Sequence, residues 1–238
     1  MTTKKMWFLI FAAGVVLVGL FGGKQFFAKS VRGPDGKIGS ITLPAPKHKG
    51  EVSVEEAIFN RRSIRRYKDE PLTLEEVSQL LWAAGGKTID GLTGATRAYP
   101  SAGGIYPLEI YLIAGDVEGL AAGIYHYQWQ DHSLILVRDG DIRKALAKAA
   151  WGQGMVARAP ISLVFTAVYK RTTARYGQRG EARYVPMDMG GAGQNVHLQA
   201  EALDLGTVII GAFNDQEVKE VLGMQDEEPL CIMPVGRI

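Results

Sequence analysis

From about residue 51 onward, the apolar positions of the chain recur at helical or at strand spacing. Ser53-Val54-Glu55-Glu56 is a capping-box pattern, which predicts a helix that runs from there to about Asn60. Thr73 caps a second predicted helix, which Gly85-Gly86 ends. Further helices are predicted over Asp141–Ala150, from about Asp188 to Leu205-Gly206, and over Asn214–Leu222. Apolar runs rich in β-branched residues predict strands: Leu108–Ala114, Gly123–Tyr127, Ser133–Val137, Ile161–Val168, Thr207–Gly211 and Leu230–Val235.

Two polar stretches follow neither spacing. Lys87–Ala98 is rich in Gly and Thr, and its composition predicts a loop. Arg171–Arg183 contains Gly177 and Gly180 and is interpreted as a mobile loop or a short helix near the site.

The N-terminal part of the chain differs in kind. Met6–Gly23 is free of charge and spans 18 residues, which is near the lower limit for crossing a bilayer. The segment lacks a clear small-residue cleavage site, so an uncleaved membrane anchor is favoured, and a cleaved secretory signal stays open. Lys24–Gly50 is predicted to be a linker or an extended arm. Lysines flank the apolar segment on both sides, but a signal-like N-terminus places the following domain outside the cytoplasm.

Composition narrows the function classes. The net charge of +2 gives no basic surface for nucleic acid, so a nucleic-acid partner is not expected. Cys231 is the single cysteine, and the four histidines show no metal-ligand spacing with thiol or acidic residues. A metal site is therefore not expected.

The most distinctive pattern is a cluster of arginines directly after the first predicted helix. Arg61-Arg62-Ser63-Ile64-Arg65-Arg66-Tyr67 carries four guanidinium groups within six residues. Planar, bidentate guanidinium donors match phosphate oxygens well, so the cluster predicts a phosphate site. The alternative is that these cations complement the dipole of a helix C-terminus.

Two glycine-rich segments follow in the chain. Pro100-Ser101-Ala102-Gly103-Gly104 is nearly free of side chains, and a flat ring could lie against its backbone, although an ordinary turn has the same composition. Gly190-Gly191-Ala192-Gly193 departs from the dinucleotide-binding fingerprint, and small residues at a predicted helix start would let another backbone approach closely.

In this order, the three segments resemble the flavin-dependent nitroreductase family, most closely its SagB-type, azoline-dehydrogenase-like branch. The resemblance covers residues 51–238, which would form one FMN-binding domain. It implies an α+β fold, with a central, mostly antiparallel sheet flanked by helices. It also implies a homodimer with two shared flavin sites, in which the Gly190–Leu205 helix forms much of the interface.

The resemblance also implies roles for single residues. Four residues would hold the flavin phosphate and part of the ribityl chain: Arg61, Arg62, Ser63 and Arg65. Three would form a shelf under the flavin ring: Pro100, Ser101 and Gly103. Ser101 would supply a hydroxyl, and Gly211, after Ile210, would present its N–H near flavin N5. Arg237 would add a phosphate contact, unless it belongs to a solvated terminus.

The implied activity is FMN-dependent reduction of an electron-poor small molecule, such as a nitroaromatic or a quinone. NADH or NADPH would be the donor, with ping-pong hydride transfer through N5, and the flavin would carry the chemistry in place of catalytic side chains. One alternative is a SagB-type azoline dehydrogenase, which removes hydrogen from a modified peptide. Another is a membrane-tethered flavin-binding protein without turnover.

Overall fold

The computed structural model describes residues 39–91 and 94–238. The predicted membrane segment, Met6–Gly23, lies outside the described residues. Within them, no helix is both long enough and apolar enough to span a membrane.

A seven-stranded sheet forms the centre of the described part of the chain, and all its neighbouring strands pair antiparallel. Its strands, in chain order, are β1 (Ser40–Thr42), β4 (Leu108–Ala114), β5 (Gly123–Gln128), β6 (Ser133–Asp139), β7 (Ile161–Ala167), β8 (Leu205–Thr207) and β9 (Glu228–Arg237). Across the sheet the order is β1-β6-β5-β4-β7-β9-β8. A separate hairpin consists of β2 (Lys87–Gly91) and β3 (Gly94–Arg97).

Helices cover both faces of the sheet, which gives an α+β fold as predicted. They are α1 (Val54–Asn60), α2 (Leu74–Gly85), α3 (Arg143–Ala149), α4 (Gly154–Arg158), α5 (Tyr169–Tyr176), α6 (Val185–Glu201) and α7 (Asp215–Leu222). One core lies between the sheet and helices α2 and α6, around Leu80, Phe165 and Val196. The other lies between the opposite face and helices α3, α4 and α7, around Leu146 and Val164.

Side-chain caps fix where the first two helices begin. The Ser53 hydroxyl accepts a hydrogen bond from the Glu56 N–H at 3.1 Å. At α2 the capping box is complete, because the Thr73 hydroxyl accepts from Glu76 N–H and the Glu76 carboxylate accepts from Thr73 N–H. Both predicted starts are confirmed, and α1 therefore delivers the arginine segment at its C-terminal end.

Three predicted elements differ from the structure. Lys87–Ala98 was predicted to be a loop, but most of it forms the β2–β3 hairpin, in which the Thr88 and Thr96 hydroxyls lie 2.6 Å apart. Helix α6 begins at Val185, so Gly190 and Gly193 lie inside the helix and not at its start. The predicted strand Thr207–Gly211 is regular only as far as Thr207; beyond it, Ile210 makes an isolated bridge to Ile232.

Part of the predicted linker joins the sheet. Residues Ser40–Thr42 pair with β6, and the Leu43 N–H donates to the His132 carbonyl at 3.1 Å. The side chain of Leu43 is buried. Residues 40–43 are therefore part of the folded domain.

Candidate functional site

Helix α6 brings the three segments singled out in the sequence close together. Along one side of the helix, Asp188 accepts a hydrogen bond from Ser101, and the Asn195 side chain donates to the Ala98 carbonyl at 2.8 Å. On another side, Gly193 lies so close to Ile209 that a Cβ there would stand 2.8 Å from the Ile209 Cδ1 atom. The helix therefore contacts both the Pro100–Gly104 turn and the segment that leads to Gly211.

The positive charge of Arg61, in the arginine segment, acts on His197 of the same helix. His197, on α6, is buried, and burial together with the positive charge of Arg61 lowers the pKa of His197 to about 4. A neutral His197 avoids placing a second cation beside Arg61.

Backbone hydrogen bonds fix the arginine segment against strand β8. The Ile64 N–H donates to the Thr207 carbonyl at 2.8 Å, and Ser63 forms a parallel bridge with Thr207. Four residues further along the chain comes Gly211. Thr207, which pairs with Ser63, and Gly211 are thus at most about 14 Å apart along an extended chain.

No described carboxylate neutralises the guanidinium groups of this segment. Arg61 is half-buried, whereas Arg62, Ser63 and Arg65 are exposed. Among the side chains that the structure describes, those of residues 39–89 and 96–238, no carboxylate forms an ion pair with Arg61, Arg62 or Arg65. Three uncompensated cations on one short segment attract an anion of high charge, such as a phosphate monoester.

The Gly211 end of the site is open. Ile210 is buried and exchanges two backbone hydrogen bonds of 2.9 Å with Ile232. Gly211 is exposed, and nothing in the described chain lies within 4 Å of where its Cβ would be. Its N–H has no acceptor in the described part of the protein, so it is available to a ligand.

The Ser101 hydroxyl is engaged inside the protein. It donates to Asp188 Oδ2 at 2.5 Å and accepts from the Tyr106 N–H at 2.9 Å. Its one proton goes to Asp188, so the predicted contact of the Ser101 hydroxyl with a bound ring stays a prediction in which the hydroxyl acts as an acceptor. The backbone of Pro100 and Ser101 remains available, since Pro100 is exposed and Ser101 partly so.

Gly103 is favoured at its position by the backbone conformation and by neighbouring side chains, and its predicted place under a ring stays a prediction. Its φ of 65° is unfavourable for other residues, and a Cβ there would stand 2.7 Å from the Tyr176 hydroxyl and 2.9 Å from Arg175 Nη1. Its small size therefore admits side chains of α5 to this turn. The sequence predicts a loop or short helix near the site here, but its polar composition does not single out Arg175 or Tyr176.

Arg237 has protein partners. Its guanidinium donates to both carboxylate oxygens of Glu76, at 3.0 Å each, and to the Pro71 carbonyl at 3.2 Å. These bonds tie β9 to the start of α2. The predicted phosphate contact of Arg237 stays a prediction, and it would require these bonds to break.

A polar cleft of about 520 Å³ is lined by the turn residues Gly104–Tyr106 and by side chains of β4 and β5. At its floor, Glu109 is paired with Arg171 at 2.5 Å and with His126 at 2.9 Å. His126 and Arg171 hold the pKa of Glu109 below its usual value, although burial opposes them. Sequence reasoning missed this cleft, although Glu109 lies in a predicted strand, where a charged residue among apolar ones is a signal for a polar face.

Beneath the turn lies a buried cation. The Arg97 guanidinium donates to the carbonyls of Gly85 and Leu108 and lies over the rings of Tyr99 and Trp129, 5.1 and 5.3 Å from their centroids. Burial lowers the pKa of Arg97. Burial has the opposite effect on the acid Asp188, whose pKa it raises. The Ser101 hydroxyl, the Ala102 N–H and Arg97 oppose that rise because they favour the charged carboxylate. These groups fix the turn's position.

No cluster of His, Cys, Asp and Glu side chains could hold a metal ion within residues 39–89 and 96–238, whose side chains the structure describes.

Comparison with known proteins gives the family context. The model of the nitroreductase family matches residues 58–237. MJ1384 of Methanocaldococcus jannaschii, by its name a candidate nitroreductase, is 46% identical over 187 residues, which are 79% of this chain and 92% of that protein. The FMN reductase [NAD(P)H] of Bacillus subtilis is 26% identical over 196 residues, or 77% of this chain and 63% of the relative.

A further relative and a solved structure extend this comparison. The microcin B17-processing protein McbC of Escherichia coli is 24% identical over 149 residues, 60% of this chain and 54% of McbC. This chain thus spans about half of McbC. A crystal structure of a candidate nitroreductase from Ralstonia eutropha has a TM-score of 0.72 and 29% identity, covering 89% of this chain and 91% of that one.

Proposed function

Because this chain belongs to the nitroreductase family, we propose that it is an oxidoreductase that binds FMN between its arginine segment and Gly211. The observation that carries the proposal is the set of guanidinium groups of Arg61, Arg62 and Arg65, which have no described carboxylate partner and lie on a segment paired with the end of β8, four residues before the open Gly211 N–H. A mononucleotide flavin has a dianionic phosphate at one end and a redox-active ring at the other. The arginine segment would bind the phosphate end, and the Gly211 N–H would donate to the ring end.

The donor groups fit a mononucleotide better than a dinucleotide. The arginine segment is a compact site for one phosphate, and the glycines of α6 lie inside a helix and do not form a phosphate loop. The relative in Bacillus subtilis is named as an FMN reductase that uses NAD(P)H. We propose NADH or NADPH as the electron donor and an electron-poor small molecule, such as a nitroaromatic or a quinone, as the acceptor.

In this proposal the protein binds and orients, and bound FMN supplies the acceptance and donation of hydride. Arg61, Arg62 and Arg65 hold the phosphate, with Ser63 beside them. The Gly211 N–H donates toward the redox-active edge of the ring, where negative charge develops. The Pro100–Gly103 backbone, held by Asp188, limits the movement of the ring.

The test is purification of the full-length protein in detergent, followed by mass spectrometry of the cofactor released by heat. We expect noncovalent FMN, whose visible absorbance is bleached anaerobically by NADH or NADPH. FAD in place of FMN, or protein without flavin that cannot be reconstituted with FMN, would refute the proposal.

The similarity to McbC favours a second candidate, an azoline dehydrogenase acting on a modified peptide. In that case, FMN would be bound but NADH and NADPH would fail to bleach it. A flavin-binding protein without turnover would give the same result and would also leave an azoline peptide unchanged.

We further propose a homodimer, supported by an exposed apolar surface on α1. Val54, Ile58 and Phe59 are 64%, 55% and 87% exposed, which is unusual for large apolar side chains on one short helix. Helix α1 packs beside α6 and ends at the arginine segment. A second copy that covers this surface would lie next to the proposed cofactor.

For the N-terminus, we propose that Met6–Gly23 stays in the mature protein as a single membrane anchor, with the domain outside the cytoplasm. Membrane fractionation, N-terminal sequencing and protease accessibility in intact cells test this. A soluble mature chain that begins near Lys24 or Lys29 would mean a cleaved signal.

A further inference from the structure

Trp151 occupies a backbone position that normally belongs to glycine. It follows the end of α3, where the Gly152 N–H turns back to donate to the Ala147 carbonyl at 2.9 Å, as in a Schellman motif. This motif requires a left-handed residue just past the helix, and Trp151 has a φ of 54°. A β-carbon makes that conformation costly, so glycine would be the more stable choice.

The same side chain is also exposed to solvent. The Trp151 residue is 69% exposed, and no ring, hydrogen-bond or cation partner in the described part of the chain holds its indole. The two other described tryptophans, Trp82 and Trp129, are less exposed and have ring or cation partners. Trp151 therefore costs backbone strain while most of its surface stays exposed and its indole has no described hydrogen-bond, ring or cation partner, and such strain is found at ligand sites.

The Trp151 turn lies against the loop that carries Gly211. The Gln153 side chain donates to the Ala212 carbonyl at 2.7 Å, and the Asn214 N–H donates to the Ala149 carbonyl at 2.9 Å. These two bonds hold the Trp151 turn against the first and the last residue of the Ala212–Asn214 stretch. The space around Gly211 itself is open.

We propose that Trp151 is a specificity-determining residue, whose indole stacks on the planar, electron-poor ring of the acceptor as that ring lies in front of Gly211. The proposal rests on the proposed function, because Gly211 marks the redox-active edge only if a flavin is bound. The electron-rich face of an indole favours an offset stack on an electron-poor ring. A hydride or electron acceptor without a ring gains nothing from it.

The test compares Trp151→Gly and Trp151→Phe with the wild type in the full-length protein. Menadione serves as a planar quinone acceptor, and ferricyanide serves as an acceptor without an aromatic ring. We expect kcat/KM for menadione to fall roughly tenfold in the glycine variant, the size of a lost aromatic stack. Ferricyanide reduction and the rate of bleaching by NADH or NADPH should stay unchanged, and Trp151→Phe should restore most of the menadione activity.

A stability measurement separates this role from a structural one. Trp151→Gly relieves backbone strain, so its Tm should equal or exceed that of the wild type. Asp204→Gly is the matched control, because Asp204 is also exposed with a φ of 55°, at the far end of α6. The control should gain stability without any change in menadione kinetics.

A binding measurement keeps the inference testable if turnover is absent. In oxidised protein without a donor, nitrobenzene should quench tryptophan fluorescence with a saturable component that Trp151→Gly lacks. Three results for Trp151→Gly would each overturn the inference. They are a loss of ferricyanide activity in parallel with menadione activity, a Tm below that of the wild type, and nitrobenzene quenching equal to that of the wild type. Wild-type protein that lacks FMN would instead count against the proposed function.

Discussion

Polar side chains at the candidate site are either engaged inside the protein or left unpaired toward solvent. Ser101 and Arg237 belong to the first group, since they donate hydrogen bonds to Asp188 and to Glu76, respectively. Arg61, Arg62 and Arg65 belong to the second, with no carboxylate partner in the described ranges. The unpaired group is the one that can bind an anion without first breaking internal bonds.

Replacing two of the unpaired arginines should weaken FMN binding without unfolding the protein. Charge-assisted hydrogen bonds are worth about 1.5–3 kcal/mol each, so Arg61→Ala with Arg65→Ala should cost several kcal/mol of affinity. Flavin fluorescence titration of the apoprotein measures this. Arg66→Ala is the control, because Arg66 is exposed on the same segment and is expected to face away from the phosphate. Equal losses in both variants would mean that the segment acts only through its net charge.

His197 should make the stability of the protein depend on pH. Its pKa is about 4 in the folded protein, against an ordinary value of 6.5, so the unfolded chain binds its proton first as the pH falls. Stability from this residue is fully present above pH 6.5 and is lost as the pH falls toward 4. The loss amounts to roughly 3 kcal/mol.

Urea unfolding between pH 4 and 7 measures this effect. His197→Leu should have a flatter profile than the wild type. It should keep some pH dependence, because burial also lowers the pKa of His132. His48→Gln is the control, since His48 is exposed. If the unfolding free energy of His197→Leu depended on pH as steeply as that of the wild type, His197 would not be the source of the pH dependence.

Among the elements, α6 does most to position the site. Its residues contact the turn at Ser101, the segment at Ile209 and the charge of Arg61. A small residue at position 193 is what lets the helix approach the segment that leads to Gly211.

A larger side chain at Gly193 should push Ile209 away from α6. Since Ile209 precedes Gly211 by two residues, Gly193→Leu should lower flavin content as well as stability, the latter by about 1–3 kcal/mol. Gly190→Ala is the control, because Gly190 is exposed on the same helix with nothing within 4 Å of a Cβ. That change should stabilise the helix by about 0.5–1 kcal/mol. Normal flavin content in a folded Gly193→Leu protein would contradict the proposed contact.

Elements with a local signal could be predicted, and those determined by distant partners could not. The α1 and α2 starts follow from Ser53 and Thr73, which bond residues three positions away. The β2–β3 hairpin escaped prediction because its glycines and threonines resemble a loop until Thr88 and Thr96 pair across it. Ser101 was identified as a site residue, but its bond to Asp188 joins residues 87 positions apart. No local pattern encodes that bond.

At the scale of the whole molecule, the exposed apolar surface of α1 indicates association with a second copy. Ile58→Lys with Phe59→Lys should give a monomer, because burial of two lysines would oppose the contact. Multi-angle light scattering of the full-length protein in detergent measures the mass. Glu118→Lys with Asp139→Lys, which adds lysines at exposed positions elsewhere, should leave the dimer intact. A wild-type monomer that retains FMN would contradict the shared site.

Both edges of the central sheet are very short. The outer strands β1 and β8 have three residues each, whereas β6, which β1 covers, has seven. A short edge offers few unpaired N–H and C=O groups to another chain, so it protects against aggregation. A truncated protein that begins after residue 50 would lose β1 and uncover the longer edge of β6. Such a truncation, convenient for removing the apolar N-terminus, would therefore be prone to edge-to-edge aggregation, and soluble versions of the domain should begin before Ser40.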